Sequence, residues 1–327
     1  LISDDPEYIR VPEAIAMQED VAAGDVRLYV YNVNGVREPA KIDRKISVVL
    51  ENKGSAPLEL RFSRRTLQGP SGNYFEQGKL GLRGFFGSTP ESEVRTIPVG
   101  GAVPLDPNME AAVAKYDDLV HGFYEFNVSQ PARISVVQTA PETPSPEVLT
   151  RVAAPLPPKS KSGAGRGKFL TNNYDITLDP GVTLDSAMGP TQIIVADGKI
   201  DPWVTGTDST TTTTATLKGN YGVIYNFTLD RKIGDPRGLA LIMWNARHGG
   251  KWCDGMAATV EVSEGKFPAG LVGVPSDQLN LAGPPAHSVV QVFPPLAPGQ
   301  SQRITIRYSP PGASCLPTPL AFVPVDF

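Results

Sequence analysis

Turn-forming residues set the strongest limit on what this chain can fold into. Its 327 residues include 32 glycines and 32 prolines, about a fifth of the chain, where an average protein has roughly 12%. Proline at this density interrupts helices, because it lacks a backbone N–H and clashes with the preceding turn. The apolar share of 40% and the net charge of −4 are unlike those of disordered chains, which combine low hydrophobicity with high net charge. The composition therefore predicts a folded, turn-rich, all-β protein.

The same composition argues against several functional classes. Basic and acidic residues nearly balance, at 30 and 34, whereas nucleic-acid binding draws on an excess of lysine and arginine. Three histidines and two cysteines leave few ligands for a zinc, haem or iron–sulfur site. No apolar run reaches the roughly 18 residues that a membrane-spanning helix needs. We therefore expect no nucleic-acid partner, no metal or other cofactor, and no membrane span.

Short strands alternate with turns along both halves of the sequence. Residues 26–33 and 58–63 alternate apolar and polar side chains, as half-buried strands do. Similar runs recur at intervals of roughly ten residues in the second half, a spacing typical of β-sandwiches. One short helix is predicted over residues 109–116, because Asp106 can cap its first turn and Pro107 suits the first helical position.

A proline- and glycine-rich segment divides the chain into two parts. Residues 139–168 begin with repeated prolines and end in a Gly/Ser-rich, basic stretch, a composition typical of linkers. The stretch SGAGRGK at 162–168 is not a phosphate-binding loop, because it starts with serine and Phe169 follows its lysine. We predict two Ig-like β-sandwich domains, residues 1–138 with an extended N-terminal lead and residues 169–327, joined by this linker.

Both cysteines lie in the second predicted domain. Cys253 and Cys315 form an even pair within one domain, which favours a single disulfide and therefore an oxidising compartment. The alternative is two buried thiols in a reduced protein. We predict the disulfide and an extracellular or cell-surface location.

The stretch from 244 to 255, WNARHGGKWCDG, is the part of the sequence richest in chemically active side chains. One interpretation is a ligand-binding loop in which aromatic rings stack on a sugar, and a second is a nucleophile pair of Cys253 and His248. The alternative is a hairpin whose tryptophans pack at the edge of a sandwich, since buried aromatic residues are common there. The residues predicted for a stacking surface are Trp203, Tyr221, Trp244 and Trp252.

Three aspartates crowd one turn region of the second half, at Asp197, Asp201 and Asp208. Carboxylates and backbone carbonyls could bind calcium there. Aspartate before glycine, as in Asp197-Gly198, is more often a turn former. We therefore predict no metal site at these residues.

Two further features suggest contacts between subunits. Glycines recur on a three-residue grid from 69 to 87, which we interpret as a long loop carrying an exposed pair, Phe85 and Phe86, as a partner surface. The alternative is that both rings pack into the core.

The C-terminal residues 319–327, which include Phe322 and Phe327, are almost entirely apolar, and such an end can complete the sheet of a neighbouring molecule by strand addition.

Four phrases of the sequence stand out: SVVLENKG at 47–54, QGPSGNYF at 68–75, LVHGFYEF at 119–126 and GNYGVIYN at 219–226. They resemble uncharacterised secreted or cell-surface all-β proteins of Gram-positive bacteria. The resemblance extends loosely over both halves and includes no catalytic motif. It implies an extracellular β protein.

From these features we expect a non-enzymatic extracellular structural protein. It would be a self-assembling subunit of a surface layer or filament, with strand addition or linker docking joining the subunits into a homo-oligomer or polymer. The alternative is a carbohydrate-binding or adhesin module pair that recognises a surface glycan through its Trp/Tyr stacking surface.

Overall fold

The structure, a computed structural model, describes most of the chain. It describes residues 1–327 except 160–164, 212, 233, 246–255, 276–278, 282–286 and 313, and for 279–281 it describes the backbone alone. Strands take up 46% of the described residues and helices 10%. The prediction of an all-β protein is therefore confirmed. Within the described residues, no helix combines the length and the apolar character needed to cross a membrane.

The elements follow one another in short segments. The helices are α1 (Tyr74–Gly87), α2 (Pro107–Ala111) and α3 (Val148–Arg151), with single 3-10 turns at Ser145–Glu147 and Ser186–Met188. The strands of the first half are β1 (Ile2–Ser3), β2 (Tyr8–Ile9), β3 (Ala14–Val21), β4 (Gly24–Asn34), β5 (Lys45–Asn52), β6 (Leu58–Ser71), β7 (Val94–Ile97), β8 (Ala102–Pro104), β9 (Leu119–Val128), β10 (Ala132–Thr139) and β11 (Arg166–Gly167). Those of the second half are β12 (Asn173–Thr177), β13 (Leu184–Asp185), β14 (Thr191–Ile193), β15 (Thr205–Thr207), β16 (Thr214–Thr216), β17 (Ile224–Lys232), β18 (Gly238–Trp244), β19 (Ala258–Val262), β20 (Gly270–Val274), β21 (Leu279–Leu281), β22 (His287–Phe293), β23 (Ser301–Tyr308) and β24 (Leu320–Val325).

The chain forms two compact units, and each unit includes a segment from the opposite half of the sequence. Unit 1 contains Leu1–Gln77, Gly87–Leu170 and Val204–Lys218, and unit 2 contains Gly78–Phe86, Thr171–Trp203 and Gly219–Phe327. The units therefore correspond to two consecutive parts of the chain, except that each unit also includes one short segment from the other part.

Two sheets share the core of unit 1. One has the order β11-β1-β4-β9-β6-β7, with β2 also beside β4, and the other has the order β3-β10-β5-β8. A single buried cluster contains Leu28 and Phe126 from the first sheet and Val48 and Ile134 from the second. The alternating apolar positions of these strands thus face one another across the core.

Unit 2 also contains two larger sheets. Their strand orders are β12-β17-β23-β19-β20, with β13 also beside β17, and β14-β24-β18-β22-β21. In β17 the side chains of Tyr225, Phe227 and Leu229 are buried, while those of Asn226 and Thr228 between them are only half-buried. One face of β17 therefore faces the core and the other faces outward.

The glycine grid forms a helix, so the prediction of a loop at residues 69–87 is wrong over most of its length. In helix α1, Phe85 and Phe86 are 0% and 5% exposed, because a helix places them on one face with Leu82. Phe85 and Phe86 therefore do not form the exposed partner surface that was predicted. Glycine permits close packing there, since a Cβ on Gly78 would come within 2.5 Å of the carbonyl oxygen of Gly312.

The described part of the predicted linker packs into unit 1. Residues 139–159 include helix α3, and Val148 is fully buried in a cluster with Ile15, Val49 and Val137. A segment that contributes a core side chain is held by the unit, and it is not a free tether between domains.

Both ends of the chain are already paired within their own units. Strand β1 lies between β4 and β11, and strand β24 lies between β14 and β18. Phe322 is completely buried in β24, whereas Phe327 is 63% exposed. The expectation that the C-terminal segment is free to join a neighbour's sheet is therefore wrong, because the backbone groups of β24 are used in an intramolecular sheet.

Candidate functional site

A hydrogen bond joins two loops of unit 2 that carry two of the predicted aromatic residues. Trp203 ends the loop that follows β14, and Tyr221 lies in the turn before β17. The side-chain amide of Asn220 donates a hydrogen bond to the carbonyl oxygen of Pro202 at 3.3 Å. This bond joins the two loops one residue away from each ring. Both rings are half-buried, and we call this arrangement the aromatic loop site.

A glycine packs against each of these rings. A Cβ on Gly198 would lie 2.5 Å from Cε2 of Trp203, and a Cβ on Gly219 would lie 2.8 Å from Cε2 of Tyr221. Both glycines have positive φ angles, +73° and +97°, a backbone region that other residues rarely adopt. The indole Nε1 also donates to the carbonyl oxygen of Ala196 at 3.4 Å. Two rings are thus held in defined positions by backbone shape.

A polar network connects residues that lie next to the two aromatic residues in the sequence. The carboxylate Oδ2 of Asp201 accepts hydrogen bonds from the backbone N–H of Ala196 and from the hydroxyl of Tyr225, both at 2.6 Å. The Tyr225 hydroxyl in turn accepts a bond from Asn220 at 2.7 Å. Burial, followed by the hydrogen bond to Asp201, raises the pKa of Tyr225. The ring of Tyr174 lies 5.3 Å from that of Tyr225, and burial and the charge of Asp201 raise its pKa as well.

The loop that carries Trp203 is fixed by its own carboxylates. Asp197 Oδ1 accepts from the backbone N–H groups of Lys199 and Asp201 at 3.0 and 2.9 Å. Desolvation opposes ionisation of Asp197, but its bonds to backbone N–H groups outweigh it and lower the pKa. Ala196 and Asn220 have φ angles of 56° and 48°, and non-glycine residues in this region cluster at functional sites.

The other predicted site residues lie elsewhere or outside the described residues. Trp244 ends strand β18, half-buried, with its ring centroid 6.1 Å from that of His287. Cys315 is 2% exposed. The remaining members of the two hypotheses, Trp252, Cys253 and His248, all lie outside the described residues. The disulfide and the nucleophile pair therefore stay untested.

The three aspartates considered for calcium do not form one group. Asp197 and Asp201 belong to unit 2, whereas Asp208 belongs to unit 1, where its carboxylate pairs with Arg166 at 2.8 Å. No cluster of three metal-ligating side chains occurs in the part of the chain that the structure describes.

Sequence reasoning missed the residues that support the two rings. Asn220, Tyr225 and Tyr174 carry no motif, and the approach of Tyr174 to Tyr225 depends on the pairing of β12 with β17. The glycines could have indicated the position of the site in the sequence. Asp197-Gly198 and Gly219-Asn220 are typical turn sequences, and each lies a few residues before one of the two aromatic residues.

Comparison with known families adds no assignment to this geometry. The chain matches no protein-family model, and no curated protein sequence matches it. Its function must therefore be inferred from the arrangement of its side chains.

Proposed function

We propose that this protein is a non-enzymatic extracellular protein that binds a glycan through the aromatic loop site. The observation that carries the proposal is the pair of half-buried rings, Trp203 and Tyr221, each held against a positive-φ glycine. Aromatic rings offer flat apolar faces with polar tips, and a sugar ring has an apolar C–H face surrounded by hydroxyl groups. Rigid aromatic residues bind at low entropic cost because few rotations are frozen.

The carboxylates of the site support binding over catalysis. Glycoside hydrolysis requires one protonated and one ionised carboxyl group on either side of the bond that is cleaved. The lowered pKa of Asp197 is unsuited to a general acid, and the Oδ2 of Asp201 already accepts two hydrogen bonds. Both groups therefore serve to shape the loops.

The proposal also includes the type of domain and the location of the protein. We assign the two units to Ig-like sandwiches in an oxidising environment, with Cys253 bonded to Cys315. The resemblance to secreted Gram-positive proteins and the all-β architecture support this assignment, since sandwiches are common among cell-surface domains.

The test is a glycan array followed by titration of the best-binding glycan. We expect Trp203→Ala to weaken binding roughly tenfold or more, as truncation of an aromatic anchor does. Gly198→Ala should weaken binding as well, because its Cβ would displace the indole. Gly181→Ala is the matched control, since Gly181 also has a positive φ of +85° but a Cβ there meets nothing within 4 Å. Absence of binding by the native chain, or equal losses in the two glycine variants, would overturn the proposal.

Self-assembly is a second candidate function, favoured by exposed apolar side chains on unit 2. Met188, Ile200 and Phe327 are 79%, 73% and 63% exposed, and each offers an apolar contact to a neighbouring subunit. Sedimentation velocity of the native chain and of Met188→Ser with Ile200→Ser tests it. A monomer at high concentration that forms no fibres by negative-stain microscopy would refute assembly without affecting glycan binding.

A further inference from the structure

An open groove with a volume of 620 Å³ lies on the outer face of the β17-β23-β19 sheet in unit 2. We call it the sheet-face groove. It is lined by Asn226, Phe227, Thr228, Glu261, Val262, Ser263, Glu264, Ala269, Gly270, Thr305, Ile306 and Arg307. Its volume is within the range of known ligand sites, about 300–1,000 Å³.

The register of the strands arranges the polar lining in two rows across the sheet. Thr228 lies opposite Thr305, and Thr305 exchanges two hydrogen bonds with Ser263, through the serine N–H at 3.0 Å and the serine hydroxyl at 3.1 Å. This first row consists of three hydroxyl groups. Each hydroxyl can both donate and accept a hydrogen bond.

The second row is an amide followed by an ion pair. Asn226 lies opposite Arg307, and Arg307 lies opposite Glu261, with its Nη2 2.5 Å from the carboxylate Oε2. The guanidinium also lies 4.7 Å from the ring centroid of Phe86 and donates to the carbonyl oxygen of Phe86 at 3.3 Å. These contacts fix the position of Arg307 before any ligand arrives.

The chemistry of the lining selects one class of ligand. The side chains of Phe227, Val262 and Ile306 are 1–2% exposed because they point into the core, so the groove offers no large apolar surface to a lipid. Glu261 neutralises Arg307, and Glu264 leaves an excess of one negative charge, which disfavours polyanions. Paired donors and acceptors on a rigid sheet suit a ligand rich in neutral hydroxyl groups.

We propose that the sheet-face groove is a second saccharide site, which binds a neutral oligosaccharide independently of the aromatic loop site. Tyr225 faces the core, where it supports the aromatic loop site through Asp201, and the next residue, Asn226, faces the groove. The two sites therefore use opposite faces of β17. Gly270 leaves one wall open, since a Cβ there would meet nothing within 4 Å.

The experiment titrates the full chain with chitotriose, cellotriose and maltotriose by calorimetry and by amide NMR. We expect at least one trisaccharide to shift the amide signals of Ser263, Thr305 and Gly270. A double variant, Thr228→Ala with Thr305→Ala, should weaken that binding about 10- to 30-fold, because two hydrogen bonds are lost at about 1 kcal/mol each. Thr177→Ala is the control, an exposed threonine of the same sheet outside the groove.

The Trp203→Ala variant distinguishes this proposal from the proposed function, which rests on the aromatic loop site. Retention of the groove signals in Trp203→Ala, with their loss in the double variant, supports a second site. Loss of the groove signals in Trp203→Ala but not in the double variant refutes the groove proposal and leaves the proposal for the aromatic loop site unaffected. No response to any trisaccharide, an equal effect of Thr177→Ala, or binding of a neutral Gly-Ser peptide in place of the sugars also refutes the groove proposal.

Discussion

A buried ion pair in unit 1 gives the sharpest test of how the segment Val204–Lys218 is held. The side chains of Arg166 and Asp208 are 1% and 2% exposed, with Nε donating to Oδ2 at 2.8 Å. The same guanidinium donates to the carbonyl oxygens of Ala16 and Leu156 at 3.0 and 2.7 Å and to the hydroxyl of Thr210 at 2.5 Å. One side chain thereby joins three stretches of unit 1.

Replacing Arg166 by methionine keeps an unbranched apolar stem similar to that of arginine and removes the guanidinium with its charge. Asp208 would then be a buried carboxylate without a cation, which costs about 3–5 kcal/mol. Two backbone carbonyls would also lose their donors, at about 1–3 kcal/mol each where no water replaces them. We therefore expect Arg166→Met to lower the stability of unit 1 by at least 3 kcal/mol.

The effect should depend on pH in a defined direction. Desolvation raises the pKa of Asp208, but hydrogen bonds, of which that from Arg166 is the largest, outweigh it, so the folded pKa lies below the ordinary value. A lowered pKa contributes stability above the unfolded pKa of about 3.9, and this contribution is lost as the pH falls. Without Arg166 the largest of these hydrogen bonds is lost, so the pKa of Asp208 in the variant lies above its value in the native chain. The difference in stability between variant and native chain should therefore be largest at neutral pH, and it should narrow as the pH falls and the Asp208 carboxylate of the variant becomes protonated.

Hydrogen–deuterium exchange over peptides from 204–218 measures this local stability. A loss of 3–5 kcal/mol should accelerate exchange there by roughly two to four orders of magnitude. Asp208→Asn added to Arg166→Met should recover part of the loss, because the unpaired charge is gone. The control is Arg303→Met, which breaks the exposed Arg303–Asp230 pair and should change nothing measurable. Equal exchange in the two single variants, or no recovery in the double variant, would refute the reasoning.

Three further predictions test other buried groups. Burial lowers the pKa of His121 to about 4, below its unfolded value of about 6.5. The free energy of unfolding measured in urea should therefore fall by up to about 3 kcal/mol as the pH is lowered from about 6.5 to about 4. A difference between the native chain and His121→Gln that does not change with pH would contradict this. Phe85→Ala should destabilise unit 2 by about 3–5 kcal/mol because it empties a buried site, while Phe75→Ala, at a residue 41% exposed, serves as the control in thermal denaturation. Peptide mapping without reductant should recover a Cys253–Cys315 cross-linked peptide, and two alkylated cysteines would disprove the disulfide.

Local sequence signals predicted the features that depend on neighbours along the chain. The alternation in residues 26–33 corresponds to strand β4 (Gly24–Asn34). Asp106 caps α2 by accepting from the N–H of Asn108 at 2.9 Å, as its type and position indicated. The helix ends at Ala111, earlier than predicted, because the backbone becomes extended at Ala112, with φ of −76° and ψ of 130°.

Features that depend on distant partners could not be predicted in the same way. Helix α1 contains four glycines after its first turn, which normally disfavour a helix by about 1 kcal/mol each. The burial of Leu82, Phe85 and Phe86 in unit 2 offsets that cost, and only the tertiary structure reveals it. The role of Arg166, which lies in the basic stretch at the end of the predicted linker, could not be predicted either, because its partner Asp208 is 42 residues away.

The abundant glycines of this chain therefore have at least two distinct roles besides forming turns. At Gly78 the missing side chain allows a helix to approach a carbonyl oxygen, and at Gly198 and Gly219 it allows aromatic rings to lie against the backbone. A turn requires only the positive φ. Gly181 also has a positive φ, but a Cβ added there would meet nothing within 4 Å. Conformation alone thus accounts for Gly181 but not for Gly198, where alanine would strain the backbone and also displace Trp203. A selective loss of glycan binding in Gly198→Ala would mean that this glycine positions a binding surface, which composition alone could not distinguish from an ordinary turn.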